Sequence, residues 1–210
     1  MDSNSLLGMR KVLVTGMSGT GKSTALMQLE KRGFQVVETD EPPWSEWSDQ
    51  DGGYVWREEL IAELLARDNG ATLYVSGTVS NQGRFYSQFD AVVLLSAPID
   101  VLLRRIESRT TNDYGKTIEE RRLILSQRSE VEPLIRATCT HEVDATQPIP
   151  DVVAQLVDIG RGHERLVPQD AARVGPVFAN VTRRVPVEAS WRVKPFGASR
   201  NGSCPWAGHS

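Results

Sequence analysis

The 210-residue chain has only two cysteines, three histidines and no long hydrophobic run. Cys139 and Cys204 lie far apart in different kinds of segment, so neither a disulfide framework nor a zinc site is expected. No stretch approaches the ~20 apolar residues that a membrane span needs, so no membrane partner is expected. The opening residues, Met1-Asp-Ser-Asn-Ser-Leu-Leu-Gly8, lack the basic region and apolar stretch of a secretion signal, and a cytoplasmic location is the resulting expectation. No Ser-His-Asp or Cys-His set and no metal-ligand cluster emerges, which leaves hydrolase and metalloenzyme readings without support. His141, at the start of an apolar segment, reads as structural. Internal repeats are absent.

Net charge is small, but charge is unevenly placed. The net value of −3 combines a body with 16 Lys/Arg against 24 Asp/Glu in residues 1–160 and a tail with 8 against 3 in residues 161–210. An acidic body repels phosphate backbones, so the composition argues against a nucleic-acid partner. Helical and strand periodicity collapse near Gly162, where prolines recur at 168, 176, 186, 195 and 205. The expected organisation is therefore one domain over 1–163 and a largely unstructured tail over 164–210. A monomer or a weak homodimer is expected.

One motif stands out. Residues 16–23, Gly-Met-Ser-Gly-Thr-Gly-Lys-Ser, satisfy the pattern G-x-x-x-x-G-K-[ST] at every position. The β-rich run Lys11-Val-Leu-Val-Thr15 precedes it, and helix formers Thr24–Arg32 follow, with Gly33 as a stop. Glycines let consecutive backbone N–H groups turn toward an anion, and the helix N-terminus adds partial positive charge. The expected nucleotide contacts are Gly16, Ser18, Gly19, Thr20, Gly21, Lys22, Ser23 and Thr24. Lys22 reaches terminal phosphates and Ser23 ligates Mg²⁺ in this pattern. ATP and Mg²⁺ are the expected ligands.

The rest of the body alternates strand and helix. Expected strands are 34–39, 72–76, 91–96 and 141–145. Expected helices run over Val55–Asp68, from an Asp100 cap to Arg109, from Thr117 with Glu120 in the capping-box position, and over Ile149–Ile159. Asp40–Gly53 reads as a loop. Near-continuous apolar strands alternating with helices predict an α/β domain built on a parallel sheet with right-handed crossovers.

On these motifs the body resembles the phosphate-loop kinases of the shikimate kinase, gluconate kinase and nucleoside monophosphate kinase type, over about residues 10–160. The resemblance implies a three-layer fold with a five-stranded parallel sheet in 2-3-1-4-5 order and a small lid. Shikimate kinases end their second strand in Asp-x-Asp, and this chain has Glu38-Thr39-Asp40. By that match Glu38 sits near Mg²⁺ and Asp40 faces the acceptor. Trp56-Arg57 matches a Phe-Arg pair at the start of the substrate-side helix. Ser76-Gly77-Thr78 stands where the family has a glycine-rich acceptor turn, without the full triple glycine. Arg105 and Arg109 are candidates for stacking on adenine and touching phosphates, Arg128 for a substrate-binding arginine, and the loop Ala145-Thr146-Gln147-Pro148 for the adenine edge.

The residues also carry their own argument. Glu38 and Asp40 lie on one side of a strand end, where ligands of α/β proteins sit, the alternative being plain loop-capping acids. The polar stretch Gly77–Arg84 follows a buried strand and makes Arg84 an anion-contact candidate. Arg104–Lys116 is basic, polar and hinged at Gly115, the make-up of a lid that bars water. Trp44, Trp47 and Trp56 either wall the acceptor pocket or pack its loop. Lys22, Asp40 and Arg109 are the catalytic candidates; Asp40, Arg57, Gly77, Arg84 and Arg128 are the acceptor candidates. The expected activity is transfer of the γ-phosphoryl group of ATP to a small-molecule acceptor. Alternatives are a nucleoside or nucleotide kinase, and an NTP-hydrolysing switch or regulatory ATP-binding protein. Ser76 replaces the aspartate of a second Walker signature and no Asn-Lys-x-Asp motif occurs, which favours a kinase and ATP over GTP.

Overall fold

A computed structural model describes residues 10–163, apart from 41, 69, 111 and 112. The tail 164–210 and its expected lack of structure lie outside the described residues. Five parallel strands form the central sheet: β1 (Lys11–Thr15), β2 (Gln35–Glu38), β5 (Leu73–Ser76), β6 (Ala91–Ser96) and β7 (His141–Asp144). Their spatial order is β2-β5-β1-β6-β7, which is the predicted 2-3-1-4-5 arrangement.

Alternation along the strands explains why both faces are covered. On β1 and β5, Val12, Val14 and Tyr74 join one buried cluster with Ala25, Leu26, Leu29, Val153 and Leu156. Leu13, Leu73 and Val75 point into a second cluster with Ile61, Leu64, Leu65 and Phe85. The first cluster is contributed largely by α1 (Lys22–Lys31) and α6 (Ile149–Gly160), the second by α2 (Glu58–Ala66). Successive side chains of a strand point to opposite faces, so unbroken apolar runs require helices on both. The result is three layers.

Three local expectations need correction. The stretch 40–53 holds a strand, β3 (Ser45–Ser48), which pairs antiparallel with β4 (Gly53–Trp56) in register Ser48↔Gly53. A four-residue turn ending Asp51-Gly52, with Gly52 at φ 62°, closes this hairpin. Trp56 consequently ends a strand, and α2 begins at Glu58 with Arg57 as its N-cap. Second, α3 (Ile99–Ser108) is preceded by Pro98 at the N-cap, and Asp100 lies in its first turn instead. Third, the helix opened by Thr117 does not run through. It divides into α4 (Ile118–Glu130) and α5 (Glu132–Thr138), with Pro133 in the first turn of α5, where a missing N–H costs nothing. The capping box itself forms as expected, Thr117 Oγ1 accepting from Glu120 N at 3.2 Å and Glu120 Oε2 from Thr117 N at 3.3 Å.

Candidate active site

β1 delivers the chain to the loop Gly16–Gly21 at the C-terminal edge of the sheet. Gly16, Gly19 and Gly21 all adopt positive φ, at 143°, 87° and 91°. At Gly16 a Cβ would run into the carbonyl oxygen of Leu95, so the loop closes against β6 only with glycine there. Gly21 is the N-cap of α1; no side chain caps this end and no acidic residue stands in its first turn. Thr20 Oγ1 donates to Met17 O at 2.9 Å and tightens the turn from within. An open helix N-terminus reached through such a loop is an anion site by construction.

Lys22 folds back along the loop, its Nζ donating to Gly16 O at 2.6 Å. Burial lowers its pKa; the carboxylates of Asp40 and Glu38 oppose this, and the Arg109 guanidinium adds to it. One ammonium group thus senses three of the other candidate residues. Ser23 Oγ donates to Glu38 Oε2 at 3.1 Å, bridging the head of α1 to the end of β2. Thr24 is exposed on the same helix turn.

Arg109, the C-cap of α3, lies over the loop. Its Nη1 donates to Ser18 Oγ at 3.4 Å and its Nη2 to Tyr114 O at 2.5 Å. Burial lowers its pKa, against the pull of Tyr114 and Asp113. Both backbone polar groups of Gly115 are bonded. Its N–H donates to Glu120 Oε2 at 3.0 Å, its carbonyl accepts from Arg121 Nε at 3.2 Å, and a Cβ there would strike Ile106 and Ile124. Thr111 and Asn112 of the expected lid lie outside the described residues. Lys116 pairs with Asp113 at 2.7 Å. One turn back on α3, Arg105 acts on Asp144 at the end of β7. That carboxyl is held below its usual range chiefly by hydrogen bonds from Thr146, with the Arg105 charge contributing. Thr146 N donates to Asp144 Oδ1 at 2.8 Å, and the Arg105 charge acts on the same carboxylate from α3.

The acceptor-side candidates collect at the ends of β2 and β5. Asp40 Oδ1 accepts from Thr78 N at 3.1 Å. Gly77 fits where no other residue does, because a Cβ would meet Thr39 Oγ1 and, at 3.1 Å, the Trp56 indole. Trp56 is 1 % exposed, and its Nε1 donates to Thr39 Oγ1 at 2.7 Å. It packs the loop and does not wall a pocket. Trp47 is exposed and stacks edge-on against Tyr54 at 5.5 Å, while Trp44 is half-buried against the α2-side cluster. Arg57 pairs with Glu46 at 3.7 Å and Arg84 with Glu58. Asn81 anchors the hairpin, exchanging bonds of 2.8 and 2.9 Å with the backbone of Trp56.

Arg128 is the candidate that the fold does not bring to Asp40. It pairs with Glu132 at 3.4 Å and lines an open cavity of about 590 Å³ with Ser96, Pro98, Asp100, Arg136 and Asp144. That cavity lies at the ends of β6 and β7, whereas Asp40 follows β2 at the opposite edge of the sheet. Thr39, Thr78 and Gln82, by contrast, were not singled out from sequence. Thr15 Oγ1 donates to Gln82 Oε1 at 3.3 Å, and Thr78 Oγ1 donates to Gly16 O at 2.9 Å. The signal for Thr78 and Gln82 was the polar run after a buried strand, and for Thr39 its place between Glu38 and Asp40.

A phosphate-binding loop between β1 and α1, at the edge of a five-stranded parallel sheet in this order, defines a kinase-like phosphate-loop fold. Residues 12–128, more than half of the chain, match the family model of the AAA domain, and the chain belongs to that family. Among curated proteins it is 32 % identical over 134 residues to a nucleotide-binding protein of Desulforudis audaxviator, an alignment covering 58 % of this chain and 44 % of that one. It is 28 % identical over 166 residues to shikimate kinase 2 of Yersinia enterocolitica, covering 70 % and 94 %. The chain therefore spans less than half of the first of these relatives and nearly all of the second. In three dimensions it resembles shikimate kinase of Acinetobacter baumannii in complex with shikimate, with a TM-score of 0.54, 17 % identity, and 75 % and 96 % of the two chains covered. It equally resembles a gluconokinase of Sinorhizobium meliloti, with a TM-score of 0.53, 24 % identity, and 73 % and 91 % covered. At these identities the likeness is one of fold. Among the described residues no helix is long and apolar enough to cross a membrane.

Proposed function

We propose that the chain is an ATP- and Mg²⁺-dependent phosphotransferase that moves the γ-phosphoryl group to a hydroxyl or phosphate of a small-molecule acceptor. One observation carries the reading: a loop with positive-φ glycines at 16, 19 and 21 leads into the uncapped N-terminus of α1, and the Lys22 ammonium folds back over it to within 2.6 Å of Gly16 O. Phosphoryl transfer is chiefly positioning and charge neutralisation, and those are the groups it needs.

The loop amides and the N-terminus of α1 hold the phosphates. Lys22 leaves Gly16 O for the terminal phosphate oxygens, and Arg109, already over Ser18, stabilises the charge that develops there. Asp40 orients the acceptor hydroxyl and takes its proton. Ser23 and Glu38 suit Mg²⁺, which favours a few hard oxygen ligands alongside water and phosphate. The ion would neutralise charge on the β- and γ-oxygens. Arg105 and Thr146 frame the base, and Gly77, Arg57 and Arg84 border the acceptor. Arg128 is assigned to the rim near Asp144. The catalytic unit is residues 1–163, acting as a monomer or weak homodimer in the cytoplasm.

The test is a screen of phosphoryl acceptors read by ADP release, with Lys22→Ala as the blank. Stimulation by an acceptor, lost in the variant, supports transfer. The 32 % identical relative is called only a nucleotide-binding protein, a name that specifies no transfer; the second reading is an NTP-hydrolysing switch or regulatory ATP-binding protein. Acceptor-independent turnover of comparable rate would select that reading instead.

A further inference from the structure

Thr78 touches both halves of the site. Its hydroxyl donates to Gly16 O at 2.9 Å and accepts from Gly16 N at 3.3 Å, clasping the first glycine of the phosphate loop from both sides of that residue. Its own backbone N–H donates to Asp40 Oδ1 at 3.1 Å. Thr15 Oγ1 lies 3.3 Å from Thr78 Oγ1 and the same distance from Gln82 Oε1. With the Thr78 proton committed to Gly16 O, the Thr15 hydroxyl is the donor toward either partner. The clasp therefore rests on a partly buried polar network and not on one contact.

Gly16 O has a second donor, the Lys22 ammonium at 2.6 Å. A carbonyl oxygen has two lone pairs, and the two donors share it. Whatever draws Lys22 toward a terminal phosphate leaves Gly16 O to Thr78 alone. The Thr78 backbone N–H, bonded to the Asp40 carboxylate, is the next link of that chain.

We infer that Thr78 is a positioning residue that couples occupation of the phosphate loop to the placement of Asp40, the hold on that carboxylate tightening when a triphosphate is bound. This rests on the kinase reading, because it takes Asp40 as the acceptor-side base. Thr78 itself transfers no proton and holds no phosphate; it acts through Gly16 on one side and Asp40 on the other.

Amide-resolved hydrogen exchange by NMR tests the coupling, with magnesium and the non-hydrolysable analogue AMP-PNP as the probe. In the wild type the probe should slow exchange at the amides of the phosphate loop and, several-fold, at the amide of position 78. Thr78→Val keeps the shape and the N–H but removes the hydroxyl. It should retain protection of the loop amides and lose the nucleotide-dependent slowing at position 78. Thr78→Ser should restore it. Equal slowing in the wild type and Thr78→Val overturns the coupling, as does wild-type protection confined to the loop. Loss of loop protection in both variants, with a lowered melting temperature, makes the residue structural and also overturns it. No protection of the loop in the wild type would instead sink the nucleotide-binding reading beneath it.

Discussion

Ser23 Oγ donates to Glu38 Oε2 across 3.1 Å, joining the first turn of α1 to the last residue of β2 through two hard oxygen atoms. Neither residue is near the other in sequence, and the parallel crossover from β1 through α1 to β2 is what brings them together. In the proposed Mg²⁺ site Glu38 supports Ser23, and a carboxylate in such a place typically governs affinity by about 10- to 100-fold. Glu38→Gln keeps an acceptor for Ser23 but removes the charge. The Mg²⁺ concentration giving half-maximal ATP turnover should rise by that factor, and an unchanged Mg²⁺ titration would remove Glu38 from the metal site.

Lys22 should cost the fold stability near neutral pH. Its pKa is lowered by burial from the ordinary value of 10.5. Below the lowered value both folded and unfolded chains bind the proton, and the penalty of burying the charge is fully present. Between the lowered value and 10.5 the unfolded chain holds a proton that the folded chain has shed, so stability rises with pH. Denaturant unfolding should therefore find Lys22→Met more stable than wild type at pH 7, with the gap narrowing as pH approaches the ordinary lysine range. A gap that stays constant or widens contradicts the assignment.

Gly77 lies against Thr39 and the Trp56 indole with no room for a methyl group. Gly77→Ala should destabilise the protein by about 1–3 kcal/mol, the usual range for overpacking. For a chain of this size each kcal/mol lowers the melting temperature by about 2–4 °C. Calorimetry that finds the melting temperature unchanged would show that Trp56 can step aside.

Glu132 is 2 % exposed and is held by Arg128 at 3.4 Å and Arg136 at 2.8 Å. Arg136 also bonds Glu142. Arg136→Ala leaves the buried carboxylate with only the longer contact, and an under-satisfied charged group costs about 1–3 kcal/mol or more. The expected outcome is a lower melting temperature with unchanged affinity for Mg·ATP. A fall in nucleotide affinity at unchanged stability would place this cluster in the nucleotide site.

Legibility in the sequence followed the range of the interactions. Val12–Val14 and Ala91–Leu95 are unbroken apolar runs, and burial on both faces is the simplest way to satisfy them, so the parallel sheet was readable; its order came from the family resemblance. The phosphate loop was readable because its function is a local backbone shape. The β3–β4 hairpin was not, because four-residue strands such as Ser45–Ser48 carry polar residues, and the apolar spacing from Val55 onward mimics a helix. Trp56 was misplaced for that reason. The break at Val131 was hidden because Pro133 is tolerated in the first turn of α5. Thr78 and Gly16 are 62 positions apart, and no local pattern announces a pairing of that span. Arg128 was assigned by likeness of motif alone, and the fold carried it to the opposite edge of the sheet.

The account stands on the phosphate loop gripping a triphosphate through Lys22. Isothermal calorimetry of residues 1–210 with Mg·ATP should give a saturable one-to-one heat that disappears in Lys22→Ala. No heat from the wild-type chain, or the same heat from the variant, would contradict it.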